Sequence, residues 1–381
     1  MFDVALLYPE KQQGAAKRYG MPQDMSKDLN LPVILRAMAK EDEEIFTNCQ
    51  RVLLCPVTDE TTLRFRQQMV SDAVSHPEFY EEMYRIAKEA MQEIQKYTSK
   101  KTSNKVVQIT ESLELLRILL KYLRYLKEHL RSEQAEKADG MYLFTTKFRQ
   151  YFTDEFAQDL ERHIDDMSVL MQGGRLIFTA GVAGGLKCGD AMVNRLDPTD
   201  YRKMGKFRRT LRWLVLHLAS PEAVFLNQEA LKQDAIRMEE NGLLYTQEIY
   251  RAFLYQFQEF FSQLQIQVGF YVGCANLGRS LNNLKMKTCY PRVSREKGHI
   301  EYQHLYELGL ALNTLKNPVD NSITDSCHLH MISGANQGGK STFLRSVGIA
   351  QVMMQAGMFV PAAYFESPLY DNILTHFTRR E

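Results

Sequence analysis

The sequence predicts a mainly α body over residues 1–290, followed over residues 291–381 by the first part of an α/β domain. Three observations carry this. Apolar residues recur three and four apart through most of the first part, which sets them on one face of a helix. A glycine-containing, strand-rich segment at about 173–215 interrupts that pattern. Near the end, a short apolar run enters a loop with Gly334, Gly338, Gly339, Lys340 and Ser341 at the spacing G-x-x-x-x-G-K-S.

Composition is compatible with such a body. The chain has 381 residues, 45% of them apolar and 24% charged, enough for a real core and for two or three domains. The formal net charge of +1 excludes a globally basic, polyanion-seeking surface, so contact with nucleic acid would need local patches. The six cysteines are scattered and form no C-x-x-C pair, so neither a zinc site nor a disulfide framework is indicated. Met1 to Glu10 lacks the basic start and apolar stretch of a secretory signal. Apolar runs are broken by charge well before the roughly 18 residues a span requires. A soluble, cytoplasmic protein with no membrane partner is expected.

The helical elements follow in order. Phe79, Met83, Ile86, Ala90, Ile94 and Tyr97 form one stripe. Leu113, Leu116, Leu120, Leu123, Leu126 and Leu130 form a second, and Phe148, Phe152, Phe156, Leu160, Ile164 and Met167 a third. Core packing is the reading for all three. From Arg175 to Leu186, glycines and short apolar runs favour strands and turns. A basic cluster then follows: Arg202, Lys203, Lys206, Arg208, Arg209 and Arg212, among Tyr201, Phe207 and Trp213. Two readings fit it, a grip on a phosphate backbone or a solvated face whose aromatics turn inward. After Asn241-Gly242, Tyr245, Ile249, Phe253, Phe257, Phe260, Leu264 and Val268 predict a helix running towards Leu281. Its length would be about 35 residues, or about 50 Å.

Leu329 to Ile332 is short and apolar enough for a buried strand, and the loop Gly334 to Ser341 follows it. Glycines let the backbone bend so that several N–H groups point at phosphate oxygens. The next helix adds its positive end. Lys340 supplies a cation for the β- and γ-phosphates, and Ser341 a hydroxyl for Mg²⁺. The candidate nucleotide-binding residues are Gly334, Ala335, Asn336, Gln337, Gly338, Gly339, Lys340, Ser341 and Thr342. The helix after the loop carries Phe343, Val347, Ala350 and Met354 on one face, and Gly357 is placed to end it.

Ile332 to Arg345 resembles the loop of the MutS mismatch-repair family, which usually reads TGPNMGGKST before an aromatic, a further residue and Arg. Ala335 stands where the family has Pro and Gln337 where it has Met, and neither change removes a phosphate donor. Gln355 to Ala362 resembles the family's QIGSFVPA, and Ile373 to Arg379 its IFTRIG strand. More loosely, Asp28 to Leu31 and Thr62 to Gln67 are similar to the start of the family's core domain. Phe261 to Leu277 is similar to its lever helix, and Val319 to Ile323 to its short asparagine motif.

The resemblance implies a core and lever domain leading into an ABC-type P-loop ATPase domain, with ATP and Mg²⁺ as cofactors. It also implies duplex or branched DNA as partner, a homodimer in the complete protein, and a nucleoid-associated location. ATP would drive lever and clamp motion in mismatch repair or at a related DNA structure. The family's Walker B acids, signature segment and catalytic histidine are expected beyond Glu381, so no catalytic residue is assigned within the chain. Ala362 to Glu366 reads as an early strand of the domain, with Glu366 outside the catalytic set. The Phe-x-Glu mismatch wedge does not occur near the N-terminus. That leaves a non-repair structural or regulatory ATP switch, or an inactive fragment, as alternatives.

Overall fold

The computed structural model describes residues 3–9, 18–98, 105–132, 137–171, 175–183, 187–197, 228–316, 318–327, 329–335 and 338–377. Its helices and strands are α1 (Pro22–Asp28), α2 (Leu31–Ala39), α3 (Glu43–Leu53), α4 (Glu60–Ser75), α5 (Pro77–Thr98), α6 (Lys105–His129), α7 (Asp139–Tyr151), α8 (Asp154–Met171), the strands β1 (Arg175–Ala183) and β2 (Lys187–Asp197), and the long α9 (Gln228–Asn283). The remainder is β3 (Arg292–Val293), β4 (Ile300–Leu305), α10 (Leu308–Thr314), β5 (Asn321–Asp325), α11 (Lys340–Gln355) and β6 (Tyr364–Ser367). The fold is thus mainly helical with a small mixed sheet, as expected in outline. None of the described helices is long and apolar enough to cross a membrane.

The chain divides into two compact units, one made of Met1–Lys88, Leu126–Tyr151 and Phe260–Glu381 and the other of Glu89–Tyr125 and Phe152–Glu259. In the first unit, polar side chains fix where helices begin. Asp42 accepts from the N–H groups of Glu44 (3.0 Å) and Ile45 (3.2 Å) to start α3. Asp59 accepts from Thr62 N (2.7 Å) to start α4. The core gathers Leu35, Met38, Cys49, Met69, Tyr80 and Leu264, all buried. The C-terminal half of α9 closes on α3, where a Cβ at Gly273 would lie 2.4 Å from Cys49 Sγ.

The sheet of this unit has the order β3-β6-β4-β5. β6 runs parallel to β3 and antiparallel to β4, and β5 pairs antiparallel on the far side of β4. Tyr302 and Phe365 stack across it at 6.2 Å. In the second unit, Arg117 pairs with Asp165 (2.6 Å) and Arg124 with Glu161 (2.7 Å), joining α6 to α8. These pairs are exposed and orient the helices more than they stabilise them.

Several expectations change. The stripe Phe148 to Met167 is two helices: Thr153 interrupts it, its hydroxyl accepting from Phe156 N at 3.0 Å to cap α8. The long helix has 56 residues and passes through Gly242. One glycine costs a helix interior only about 1 kcal/mol, and the surrounding residues carry the element past it. Along α9, Phe257, Phe260, Leu264 and Val268 are buried, whereas Ile249 and Phe253 are 39% and 40% exposed. The strand-rich segment is the antiparallel pair β1–β2, with Ala180 opposite Ala191. The basic cluster from Arg202 to Arg212 lies outside the described residues.

Candidate nucleotide site

The loop helix α11 starts at Lys340 with Gly339 as its N-cap, in left-handed backbone at φ 82° and ψ 7°. That conformation suits glycine, since any Cβ there is strained. One turn earlier, Gly338 N donates to Ala335 O at 3.1 Å. A Cβ on Gly338 would meet that same carbonyl oxygen at 2.9 Å, so the turn closes only on a residue without a side chain. Lys340 folds back over the loop, its Nζ 2.6 Å from both Gly334 O and Ala335 O. Gly339 offers no side chain to cap the first turn of α11, and no acidic residue lies in that turn. Its leading N–H groups have no partner within the helix, the arrangement that suits an anion at a helix start.

Of the nine predicted residues, Gly334, Ala335, Gly338, Gly339, Lys340, Ser341 and Thr342 come together in this turn. Asn336 and Gln337 lie outside the described residues. Ser341 is exposed and Thr342 and Lys340 are half-buried, so a hydroxyl and an ammonium lie near the surface beside the first amides of α11. This donor set fits a polyphosphate with a hard cation: backbone N–H and Lys for the anion, a hydroxyl oxygen for Mg²⁺. Among the described residues, no group of three or more His, Cys, Asp and Glu side chains could hold a metal ion by itself.

The residues before the loop depart from expectation. Leu329 to Ile332 are not in a strand, and Leu329 and Met331 are 78% and 92% exposed. An apolar run becomes a buried strand only where neighbours supply hydrogen bonds on both edges, and no described strand pairs with these residues. Ile373 to Phe377, read as a second strand, is likewise outside the sheet. Both segments border a cavity of about 670 Å³ whose other walls include Phe343 and Val347 of α11, Tyr302 and Ile323. Glu366 sits on β6 and lines a different cavity, with Arg64, Gln67 and Arg292; Tyr364 donates to it at 2.5 Å.

What holds the loop in place is α11, and these anchors were not legible in advance. Arg345 Nε donates to Asp28 O at 2.8 Å, and its guanidinium lies 5.7 Å from the Phe377 ring centroid. A Cβ on Gly348 would be 2.6 Å from Leu29 Cδ2, so α11 lies against the end of α1. Glu307, nearby, caps α10 by accepting from Leu310 N. Burial pushes the Glu307 carboxyl up, against the opposing pull of that backbone bond and of Arg345.

At the other end, Gln355 donates to Val57 O (3.2 Å) and Tyr370 O (2.7 Å), and its own carbonyl accepts from Val57 N (2.8 Å). The helix then stops as Gly357 was expected to make it. Gly357 takes φ 78°, Gly357 N donates to Met354 O (2.9 Å), and Met358 N to Met353 O (3.0 Å). Arg345 and Gln355 both fall in stretches that the sequence singled out, but nothing there foretold the partners they hold.

Comparison with known proteins bears on both parts of the chain. Residues 58–284 match the family model described as the MutS2 N-terminal domain, and residues 330–380 the one described as MutS domain V. The DNA mismatch repair protein MutS of Fervidobacterium nodosum is 39% identical over 64 residues, 17% of this chain and 8% of that protein. That of Macrococcus caseolyticus is 43% identical over 56 residues, 15% and 7%. That of Geobacillus thermodenitrificans is 25% identical over 166 residues, 40% of this chain and 17% of that protein. The chain therefore aligns with at most 17% of the length of these three relatives.

Proposed function

The chain belongs to the MutS family, and from that premise we propose that residues 334–342 bind the phosphates of Mg-ATP in a protein serving DNA mismatch repair or a related DNA-structure clamp. One observation carries the nucleotide reading. A left-handed Gly339 opens α11 with its leading amides uncapped, and Lys340 bridges the same loop. Bound Mg-ATP would supply a polyphosphate whose charge those groups neutralise, together with a cation for the Ser341 hydroxyl.

In this reading Lys340 exchanges two carbonyl contacts for phosphate oxygens, a stronger charge-assisted pair. Gly338 and Gly339 keep the main chain close enough for its N–H groups to reach the anion. Arg345 and Gln355 hold α11 still, so the amides are ordered before the ligand arrives. The relatives' printed name, DNA mismatch repair protein, supports DNA as the partner. Lever motion and homodimer formation belong to the same proposal.

Titration with Mg-ATP tests the site. Lys340→Ala should weaken binding about tenfold or more, the loss of about 1.4 kcal/mol of charge-assisted contact. Equal affinity in wild type and variant would sink the assignment.

A further inference from the structure

The segment Asp3–Pro9 is seated by side chains of two helices. Gln267 of α9 brackets its backbone: Oε1 accepts from Leu6 N (2.8 Å) and Leu7 N (3.1 Å), and Nε2 donates to Val4 O (2.8 Å). Tyr271, one turn along α9, donates its hydroxyl to Leu6 O. Arg66 of α4 reaches the same segment: its Nε donates to Leu7 O at 2.8 Å, and its guanidinium lies 4.5 Å from the Tyr8 ring centroid. Val4, Leu6 and Leu7 are buried, and Arg66 is only 1% exposed.

The other edge of that guanidinium faces α11. Arg66 Nη1 is 3.5 Å from Ala356 O, the C-cap of the helix whose first turn carries the phosphate loop. A cation there also meets the negative end of the helix dipole. Contact is close enough that a Cβ on Gly357 would lie 2.4 Å from Arg66 Cβ.

We propose that Asp3–Pro9 is a strap that couples α9 to the phosphate loop, with Arg66 as the positioning residue between them. This rests on the nucleotide reading above. An α-helix moves as a rod, so the setting of its last carbonyls is transmitted to the amides of its first turn. Arg345 and Gln355 tie α11 to α1 and to the residues between α3 and α4. Arg66 joins α11 to the strap that α9 holds: it bonds Leu7 O, while Gln267 and Tyr271 bond Leu6 and Leu7. Any shift of α9 that lifts Gln267 and Tyr271 from the strap therefore changes the hold on Ala356. By reciprocity, ligand at the loop tightens the strap.

Amide hydrogen exchange tests this in the full chain. Tyr271→Phe keeps the ring and removes only the bond to Leu6 O. Exchange should quicken at Leu6 to Tyr8 and also at Gly338 to Thr342, and Mg-ATP affinity should fall about fivefold or more. Arg66→Met should give the same pattern, and Arg66→Lys should restore part of it, each variant being compared at a temperature where circular dichroism shows it fully folded.

In the reverse direction, Mg-ATP should slow exchange at Leu6 to Tyr8 in wild type and not in Lys340→Ala. Faster exchange in the strap with an unchanged loop overturns the proposal. Failure of wild type to bind Mg-ATP would instead remove the nucleotide reading. The coupled exchange of loop and strap in Tyr271→Phe would then still decide the strap.

Discussion

At the scale of single residues, His129 shows how burial becomes a pH dependence. Its ring stacks on Phe79 with centroids 4.4 Å apart, and its Nε2 lies 2.9 Å from Phe79 O. Burial, partly opposed by that carbonyl and by Glu82, holds the imidazole below its ordinary value of 6.5. The unfolded chain therefore takes up a proton that the folded chain refuses, in the window between the two values. Stability from this group is complete above 6.5 and is lost as pH falls below 6.5 towards the lower folded value. Urea midpoints measured from pH 7.5 down to 5 should fall, and His129→Gln should flatten part of that fall. A variant that tracks wild type across the range would remove His129 from the account. Nothing in the sequence foretold this pairing, because residues 79 and 129 meet only through the packing of α5 and α6.

At the scale of elements, what was legible was what the local chain decides. The stripes on α5 and α6, the helix after Lys340 and its stop at Gly357 depend on spacing and on one special backbone angle. Thr153 hid in plain view because Phe148 to Met167 keeps helical spacing across the break. The strand expected at 329–332 failed for the opposite reason: its apolar residues are right, but strand formation belongs to its neighbours. Close packing of α9 on α3 was equally invisible, since Gly273 is a weak helix former whose reason to exist is Cys49. A Cβ placed there meets Cys49 Sγ at 2.4 Å, and Cys49 is fully buried. Gly273→Ala should therefore destabilise the protein by about 1–3 kcal/mol through overpacking. In a Cys49→Ala background the clash is gone and the helix propensity of alanine, up to about 1 kcal/mol, remains. The same substitution should then be neutral or stabilising. A double-mutant cycle in urea measures the coupling, and additive effects would show that the helices part without cost.

At the scale of the whole molecule, the proposed DNA partner has to be reconciled with a nearly neutral chain. The net charge of +1 gives no long-range attraction, so any affinity must come from cations gathered in one place. Arg202, Lys203, Lys206, Arg208, Arg209 and Arg212 are the densest such group in the sequence, with Phe207 and Trp213 among them. If they neutralise phosphates, each contact releases condensed counterions, and log K should fall against log salt with a slope of about −0.9 per contact. Duplex binding measured from about 50 to 200 mM salt reads that slope directly. Replacing Lys203, Lys206, Arg208 and Arg209 by glutamine should reduce its magnitude by about 3 to 4 and weaken binding alike for unrelated duplex sequences. A variant that keeps the wild-type slope would make the cluster a solvated face and move the search for the DNA contact elsewhere. Lys340→Ala provides the control, because its cation is engaged within the loop, 2.6 Å from two carbonyls. Without nucleotide that variant should leave the slope unchanged. Adding Mg-ATP should alter duplex affinity in wild type alone, as expected where loop and DNA partner are linked through one chain.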